Sequence, residues 1–377
     1  MASVRRINNG NWQTRWRDHD KRACKKTFRL KRDADQFKTF IEHALLSHTY
    51  VDPAAAKVTF RVFAEQWRND QHHHRQGTRD QIEGNLRLHV YPAIGDRPIG
   101  KVRARDIKDM VEGWGRSDSK NRALAPSTAG TILTWTATIF KAAVEGRIIT
   151  ESPCKNVRLP EIQRRRITPL SPKTVMDLEA GVQDRFKAII MLGAGTGVRV
   201  SEALGLTLDR LDFLGKTVTI DRQLLRGSGD VPRLGPVKDR KNRPRVIPLP
   251  EAVIDSLAVH LAQFPIGSSG LVFTNATGSP IGRTSFSEMF RSVADPLGIS
   301  KGEGFHQLRH FYASALIRSG ESVKVVQERL GHASVLTTLE QYGHLWPDNH
   351  ETTRAAMDGI FALGNAPESR PILEALA

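Results

Sequence analysis

Four cationic or imidazole side chains and one tyrosine lie in three short segments of the second half of the chain. Arg199 sits in GTGVRVSEALGL (Gly195 to Leu206), His306 and Arg309 in FHQLRH (Phe305 to His310), and His332 and Tyr342 in LGHASVLTTLEQYGHL (Leu330 to Leu345). A guanidinium grips a phosphate through parallel N–H donors, an imidazole donates or moves a proton near neutral pH, and a phenol attacks as a nucleophile. Together they form an inventory for cutting a nucleic-acid backbone. No segment supplies the carboxylate cluster of a metal-dependent nuclease, so the positive charge must come from side chains, and no metal or other cofactor is expected.

Each piece also has a plainer reading. Glu202, three residues after Arg199, is placed to steady that arginine from one helix face, and the same pair would serve as a structural ion pair. His306 and Arg309 stand at i and i+3 and share a helical face, so both can point at one substrate group, although H-x-x-R alone is a common spacing. His332 follows a Leu-Gly turn, and Tyr342 lies in a short helix with Thr337 and Thr338 near its start. A lone tyrosine is ordinarily core or surface. The consecutive His72, His73 and His74 have no Cys or acidic partner at ligand spacing and read as a solvated loop between helices.

These residues need a scaffold, and 377 residues suffice for two or three domains, each with its own core. Lys and Arg number 56 against 40 Asp and Glu, a net charge of +16, which favours DNA or RNA as partner over a merely solvated basic surface. The two cysteines, Cys24 and Cys154, lie far apart; that excludes a disulfide framework and fits a reduced, cytoplasmic setting. Arg5, Arg6, Trp12, Arg15 and Arg17 interrupt the stretch where a secretion signal needs an apolar core. The longest apolar stretch, around Ala188 to Ala194, is far short of a membrane span, so a soluble protein with no membrane partner is expected.

The pattern predicts a multidomain, mainly α protein with small β-sheets. Residues 1–50 hold 12 Lys and Arg against 5 Asp and Glu, a charge of +7. Their runs VRRI, NWQTRWRD and KKTFRL, separated by Asn9-Gly10 and by Asp18 to Asp20, read as a small three-stranded sheet, followed by a helix with Phe37, Phe40, Ile41 and Leu45 on one stripe. Interleaved Trp and Arg suit a DNA groove, and an ordinary half-buried sheet explains the aromatics equally well. After an Asp52-Pro53 linker, residues 58–155 read as a four-helix domain: one helix through Phe60, Phe63, Ala64 and Trp67, one through Ile82 and Leu86 closed by Pro92 and Gly95, one through Ile107, Met110, Val111 and Trp114, and one from Pro126-Ser127 to Gly146. A basic linker with Arg164, Arg165 and Arg166 leads to a mixed α/β domain over 169–350, with a strand pair at Leu214 to Asp221 and Pro244 to Pro250 and a further strand at Leu271 to Asn275.

Taken together, these segments closely resemble the tyrosine recombinases, the phage-integrase type of site-specific recombinase. Each motif is weak alone, but over residues 169–350 the joint order of arginine, lysine hairpin, H-x-x-R, L-G-H and tyrosine is specific. Residues 58–155 resemble the family's core-site-binding domain. Residues 1–50 resemble, less specifically, the arm-site-binding sheet of larger integrases.

The resemblance implies that Arg199 and Arg309 clamp the scissile phosphate, that His306 and His332 hydrogen-bond or shuttle protons there, and that Tyr342 attacks to give a 3′-phosphotyrosyl intermediate. It also implies a lysine on a β-hairpin. Lys238, in GPVKDRKNRPRVIPLP (Gly235 to Pro250), corresponds by its spacing from the strand end; Asp239 where Thr is usual and Asn242 where a small hydroxyl residue is usual keep Lys241 as the alternative. Gln307 stands where Asp is common. The implied partners are double-stranded DNA at core and arm-type sites, three further copies of the chain in a homotetramer, and accessory DNA-bending or directionality proteins. The apolar tail, residues 351–377, would pack on its own domain or on a neighbouring protomer.

Physical chemistry is consistent with these roles. A phenol of reference pKa about 10 needs a base and a positive field to attack at neutral pH. His306 is suited to take the proton, the arginines supply the field, and a lysine depressed by neighbouring arginines can protonate the leaving 5′ oxygen. The phosphotyrosyl bond conserves the energy of the phosphodiester, so resealing needs no ATP. Two rival readings remain: DNA relaxation of the type IB topoisomerase kind, and a catalytically inactive DNA-binding regulator. A separate arm-like basic unit favours a recombinase over the first, and the presence of every expected polar residue argues against the second.

Overall fold

The structure is a computed structural model and describes residues 2–17, 21–47, 50–51, 55–117, 123–157, 159, 166–227, 232–237, 244–267, 270–299, 303–346 and 350–364. The chain forms two compact units, Met1–Arg164 and Arg165–Ala377.

The first unit begins with the expected sheet. Strands β1 (Ser3–Arg6), β2 (Trp12–Arg17) and β3 (Ala23–Phe28) pair antiparallel in the order β1-β2-β3. Gly10 turns the chain between the first two at φ +80°, a left-handed conformation that costs glycine little; the second expected turn, Asp18 to Asp20, lies outside the described residues. Helix α1 (Lys31–Leu46) covers one face, where Trp16 meets Phe37 and Tyr50 edge-on at 5.4 and 6.3 Å. Phe40, expected on the buried stripe, is instead exposed, because so narrow a sheet covers only the stripe of Ala34, Phe37, Ile41 and Ala44. The strand register sets Arg15 between Ser3 and Lys25, Gln13 between Arg5 and Thr27, and Arg17 opposite Ala23. Alternation along the strands therefore puts Arg5, Arg15, Arg17 and Lys25 together on the face away from α1.

A second apolar cluster in this unit is built by α2 (Phe60–Asp70), α3 (Gln76–Asn85), α4 (Ala104–Trp114) and α5 (Pro126–Glu145). The Thr59 hydroxyl caps α2 by accepting from the Val62 N–H, and Pro126 opens α5, where its missing N–H costs nothing. Helix α3 runs on into wide π turns over Leu86–Gly95. Gly95 ends it as expected, but Pro92 lies inside, because the i→i+5 winding displaces the hydrogen-bond pattern that a proline would otherwise break. His72 to His74 fall in the turn between α2 and α3, with the His74 ring edge-on to Trp135 at 5.5 Å.

The second unit runs α6 (Pro172–Gly181), α7 (Asp184–Thr196), α8 (Val200–Leu204), β4 (Leu211–Asp212), β5 (Thr217–Ile220), β6 (Arg222–Arg226), β7 (Pro232–Pro236), β8 (Arg245–Pro248), α9 (Glu251–Gln263), α10 (Arg283–Ala294), α11 (His306–Arg318), α12 (Val323–Leu330), α13 (Val335–Tyr342) and α14 (His350–Gly364). The expected strand pair is β5 against β8, in a sheet of order β4-β5-β8, and β6 and β7 form a separate antiparallel hairpin. The strand expected at Leu271 to Asn275 is absent: the segment makes only isolated bridges, Thr207 to Leu271 and Thr274 to Pro280. Leu271, Val272 and Phe273 are buried core residues, and a short apolar run looks the same to periodicity whether strands flank it or not. Among the described residues no helix is long and apolar enough to cross a membrane.

Candidate active site

Helix α7 ends in a reversal at Gly197, whose φ of +64° and whose neighbour Tyr312, 2.5 Å from where a Cβ would stand, both demand glycine. The reversal delivers Arg199 to the start of α8. There the Glu202 carboxylate accepts the Arg199 backbone N–H at 2.8 Å and its guanidinium Nη1 at 2.8 Å. Glu202 is buried, whereas the Arg199 side chain keeps 31% of its surface open. Arg245, from β8, donates to the same carboxylate through Nη1 (3.2 Å) and Nη2. Burial alone would raise the Glu202 pKa, but the guanidiniums of Arg245 and Arg199 hold it at about 2.

Arg245 is not among the residues that the sequence motifs single out. Its signal is an arginine whose β-strand neighbours Ile247 and Leu249, on the same alternation, are buried core residues. Gly331 of the Leu-Gly-His turn makes room for it: φ is +65°, and a Cβ there would stand 2.9 Å from Arg245 Nη1.

Arg309 is 1% exposed and donates to two carbonyls, Nη1 to Gly197 O at 2.7 Å and Nη2 to Leu330 O at 2.5 Å. It thereby ties together the turn before Arg199 and the turn before His332. Burial, with Arg199 and Arg245 nearby, pulls its pKa down to about 9, which leaves it charged at neutral pH. Three guanidiniums against the one carboxylate of Glu202 make this cluster strongly positive.

The imidazoles and the phenol close the site. His332 shares a 2.9 Å hydrogen bond between Nδ1 and Thr338 Oγ1, and its ring lies parallel to that of Tyr342 at 6.3 Å. Burial, then Arg309 and Arg199, lower its pKa to about 3. Tyr342 ends α13 with no exposed surface, and burial pushes its phenol up to about 12 against the opposing pull of Arg309 and Arg199. Its hydroxyl lies 2.7 Å from His310 Nδ1, and burial, then Arg309, lower His310 to about 4. His306, the first residue of α11, presents an exposed edge and packs its ring edge-on to His310 at 4.7 Å. Its pKa is also lowered, by lost hydration on the inner side of the ring and then by His310, Arg309 and Arg199.

The structure thus gathers Arg199, Glu202, His306, Arg309, His332 and Tyr342 from three separate segments. It adds Arg245 and His310. The expectation that His306 takes the tyrosine proton meets a different geometry, since among the described residues the hydroxyl is bonded to His310, one turn further along α11. Lys238, its alternative Lys241, and the departures at Asp239 and Asn242 lie outside the described residues; the hairpin of β6 and β7 ends two residues before Lys238. Gln307 is buried beside His306, with its Oε1 lacking a partner among the described residues.

The family model for the phage integrase family matches residues 170–348, and that for the phage integrase central domain matches residues 60–177. The tyrosine recombinase XerD of Mycobacterium tuberculosis is 32% identical over 256 residues, 65% of this chain and 79% of the relative. The chain belongs to the tyrosine recombinases. As a member of that family it is an enzyme of DNA strand cleavage and rejoining. Solved tyrosine recombinases share its fold: the Tn1549 transposon integrase in complex with transposon right end DNA aligns with a TM-score of 0.68 at 21% identity, over 81% of this chain and 100% of the other. A lambda integrase dimer bound to a COC′ core site aligns with a TM-score of 0.57 at 16% identity, over 92% of this chain and 95% of the other.

Proposed function

We propose that this tyrosine recombinase integrates and excises a phage or other mobile element, acting as a homotetramer that exchanges strands through a Holliday junction. In this reading Arg199 and Arg309 bind the scissile phosphate, His306 and His332 hydrogen-bond its oxygens, and Tyr342 attacks to form the 3′-phosphotyrosyl bond. Lys238, or Lys241 in its place, protonates the leaving 5′ oxygen. The observation that carries the reading is the burial of Tyr342 in a pocket lined by guanidiniums and neutral imidazoles, which favours a transition state rich in negative charge.

Residues 58–155 are the core-site reader, 169–350 the catalytic domain, and 1–50 the arm-site reader with a basic face of Arg5, Arg15, Arg17 and Lys25. The matched family segments begin at residue 60, so the basic sheet is additional to them. The alignment with lambda integrase leaves only about 8% of this chain uncovered, too little to omit the whole sheet and its helix. A mobile-element integrase fits that extra unit better than chromosomal recombination does. Helix α14, whose described apolar side chains Met357, Ile360 and Phe361 are exposed, docks on its own domain or on a neighbouring protomer. Accessory DNA-bending or directionality proteins and a cytoplasmic setting on host DNA complete the proposal.

The test is cleavage of a suicide substrate carrying a candidate attachment site, followed by a recombination assay on paired sites. Tyr342→Phe should bind DNA normally and form no covalent adduct, and the wild type should cleave in EDTA. An adduct surviving in the variant would remove Tyr342 from its role. Relaxation of supercoiled DNA without recombinant product would favour the topoisomerase reading.

A further inference from the structure

We propose that His310 is the base that takes the phenolic proton of Tyr342 as cleavage begins and returns it when the strand is resealed. The proposal rests on the reading of Tyr342 as nucleophile. Its starting point is access: the hydroxyl sits on a side chain with no exposed surface, so before DNA reaches it the group placed to receive its proton is a protein group and not bulk water.

Among the described residues the geometry selects one. His310 Nδ1 is 2.7 Å from the Tyr342 oxygen, at ordinary distance for a phenol donating to an imidazole nitrogen. The other two imidazoles are engaged differently. His332 turns its Nδ1 to Thr338 Oγ1 and lies parallel to the Tyr342 ring, and His306 is exposed at the start of α11, touching His310 by its ring edge. His310 is buried, and its helix is anchored by the core residues Leu308, Tyr312, Ala313 and Ile317, so the ring cannot readily swing away.

The electrostatics fit an acceptor at rest. Burial and the Arg309 charge keep the His310 ring neutral, so Nδ1 offers a lone pair once the other ring nitrogen carries the hydrogen. A phenol raised to about 12 does not ionise spontaneously at pH 7. Transfer is uphill at rest; the phosphate's negative charge beside the new imidazolium, the pull of Arg309 and Arg199 on the phenolate, and bonding of that oxygen to phosphorus as the proton leaves lower its cost. In the forward step the Tyr342 O–H bond breaks and its proton goes to His310 Nδ1. The phenolic oxygen bonds to phosphorus, the bond from phosphorus to the 5′ oxygen breaks, and that oxygen takes a proton from a separate acid. On resealing, the 5′ hydroxyl returns its proton to the conjugate base of that acid and attacks, the bond from phosphorus to the phenolic oxygen breaks, and that oxygen takes its proton back from His310.

The experiment is single-turnover formation of the covalent adduct on a suicide substrate by the full chain, with DNA binding and thermal unfolding measured alongside. His310→Ala and His310→Gln should both bind DNA as the wild type does and form adduct about a hundredfold more slowly. Added imidazole should restore part of the rate to His310→Ala, whose missing ring leaves room for it, and none to His310→Gln. A rate equal to or faster than wild type in either variant would overturn the proposal, the faster rate showing that His310 only parks the tyrosine. A slow His310→Ala that imidazole does not rescue would overturn it too, leaving His310 a positioning residue. Failure of the nucleophile reading is distinguishable, because adduct would then form in Tyr342→Phe.

Discussion

Two concentrations of positive charge among the described residues are built in opposite ways. On the N-terminal sheet, Arg5, Arg15, Arg17 and Lys25 stand side by side on an exposed face, where water and salt solvate them at little cost. In the second unit, Arg309 is 1% exposed and commits both terminal nitrogens to carbonyls, while Arg245 and Arg199 share one buried carboxylate. Desolvating those charges is expensive, and the protein offsets the expense with hydrogen bonds that also lock the geometry. In the reading proposed above, the difference assigns affinity to one basic surface and chemistry to the other. An exposed cation attracts any phosphate, whereas a preorganised one is aimed at a single phosphate whose charge grows during reaction.

The sharpest way to break this contrast is to remove the most buried charge. Arg309→Ala should slow adduct formation by about 10²–10³ and destabilise the fold by about 2–4 kcal/mol, because the carbonyls of Gly197 and Leu330 lose their donor. Arg309→Lys should recover little, since an ammonium lacks the planar fork that spans two acceptors. Single-turnover cleavage and denaturant unfolding read the two effects. Near-normal cleavage with weakened DNA binding would make the buried arginine no different from the exposed ones.

A smaller effect follows from pH. His310 and His332 have folded pKa values of about 4 and 3 against 6.5 for the free side chain, so the unfolded chain protonates first as pH falls. Stability should therefore begin to fall below pH 6.5. Glu202, held at about 2 against 4.5, contributes stability that is complete above 4.5 and is lost as pH falls from there towards 2. Unfolding curves taken across this range should show both declines. In Glu202→Gln the decline below 4.5 should shrink, and the variant should already be less stable at pH 7 by about 3 kcal/mol, because Arg199 and Arg245 lose their carboxylate. An unchanged acid limb would show that the buried pair contributes nothing to the fold.

The smallest effect belongs to the sheet. Arg15→Ala with Lys25→Ala should leave stability within about 0.5 kcal/mol of wild type and leave core-site cleavage intact. The salt dependence of DNA binding should become shallower by about one counterion for each phosphate that the variant no longer neutralises. A salt slope equal to the wild type's would detach this face from DNA.

Much of this contrast can be read from sequence, but unevenly. The basic sheet is legible because alternation and a Gly turn are local signals, and hairpin register follows from them. Phe40 shows the limit: its spacing suits a buried stripe, and only the width of the sheet decides that it is exposed. Leu271 to Asn275 shows another, since an apolar run reveals burial and not whether a neighbouring strand is there to pair with it.

The sequence by itself determined the candidate reacting groups, because an arginine, an H-x-x-R helix, an L-G-H turn and a tyrosine in that order are chemical types at countable spacings. It also marked where the chain can reverse, through Gly197 and Gly331, since glycine enters a left-handed turn at the least cost. Only the tertiary structure decided which group touches which. Arg245 reaches Glu202 across 43 positions, and His310 reaches Tyr342 across 32. Contacts of that separation depend on how helices and strands pack, and packing of many weak contacts is a property of the whole core that no local spacing encodes.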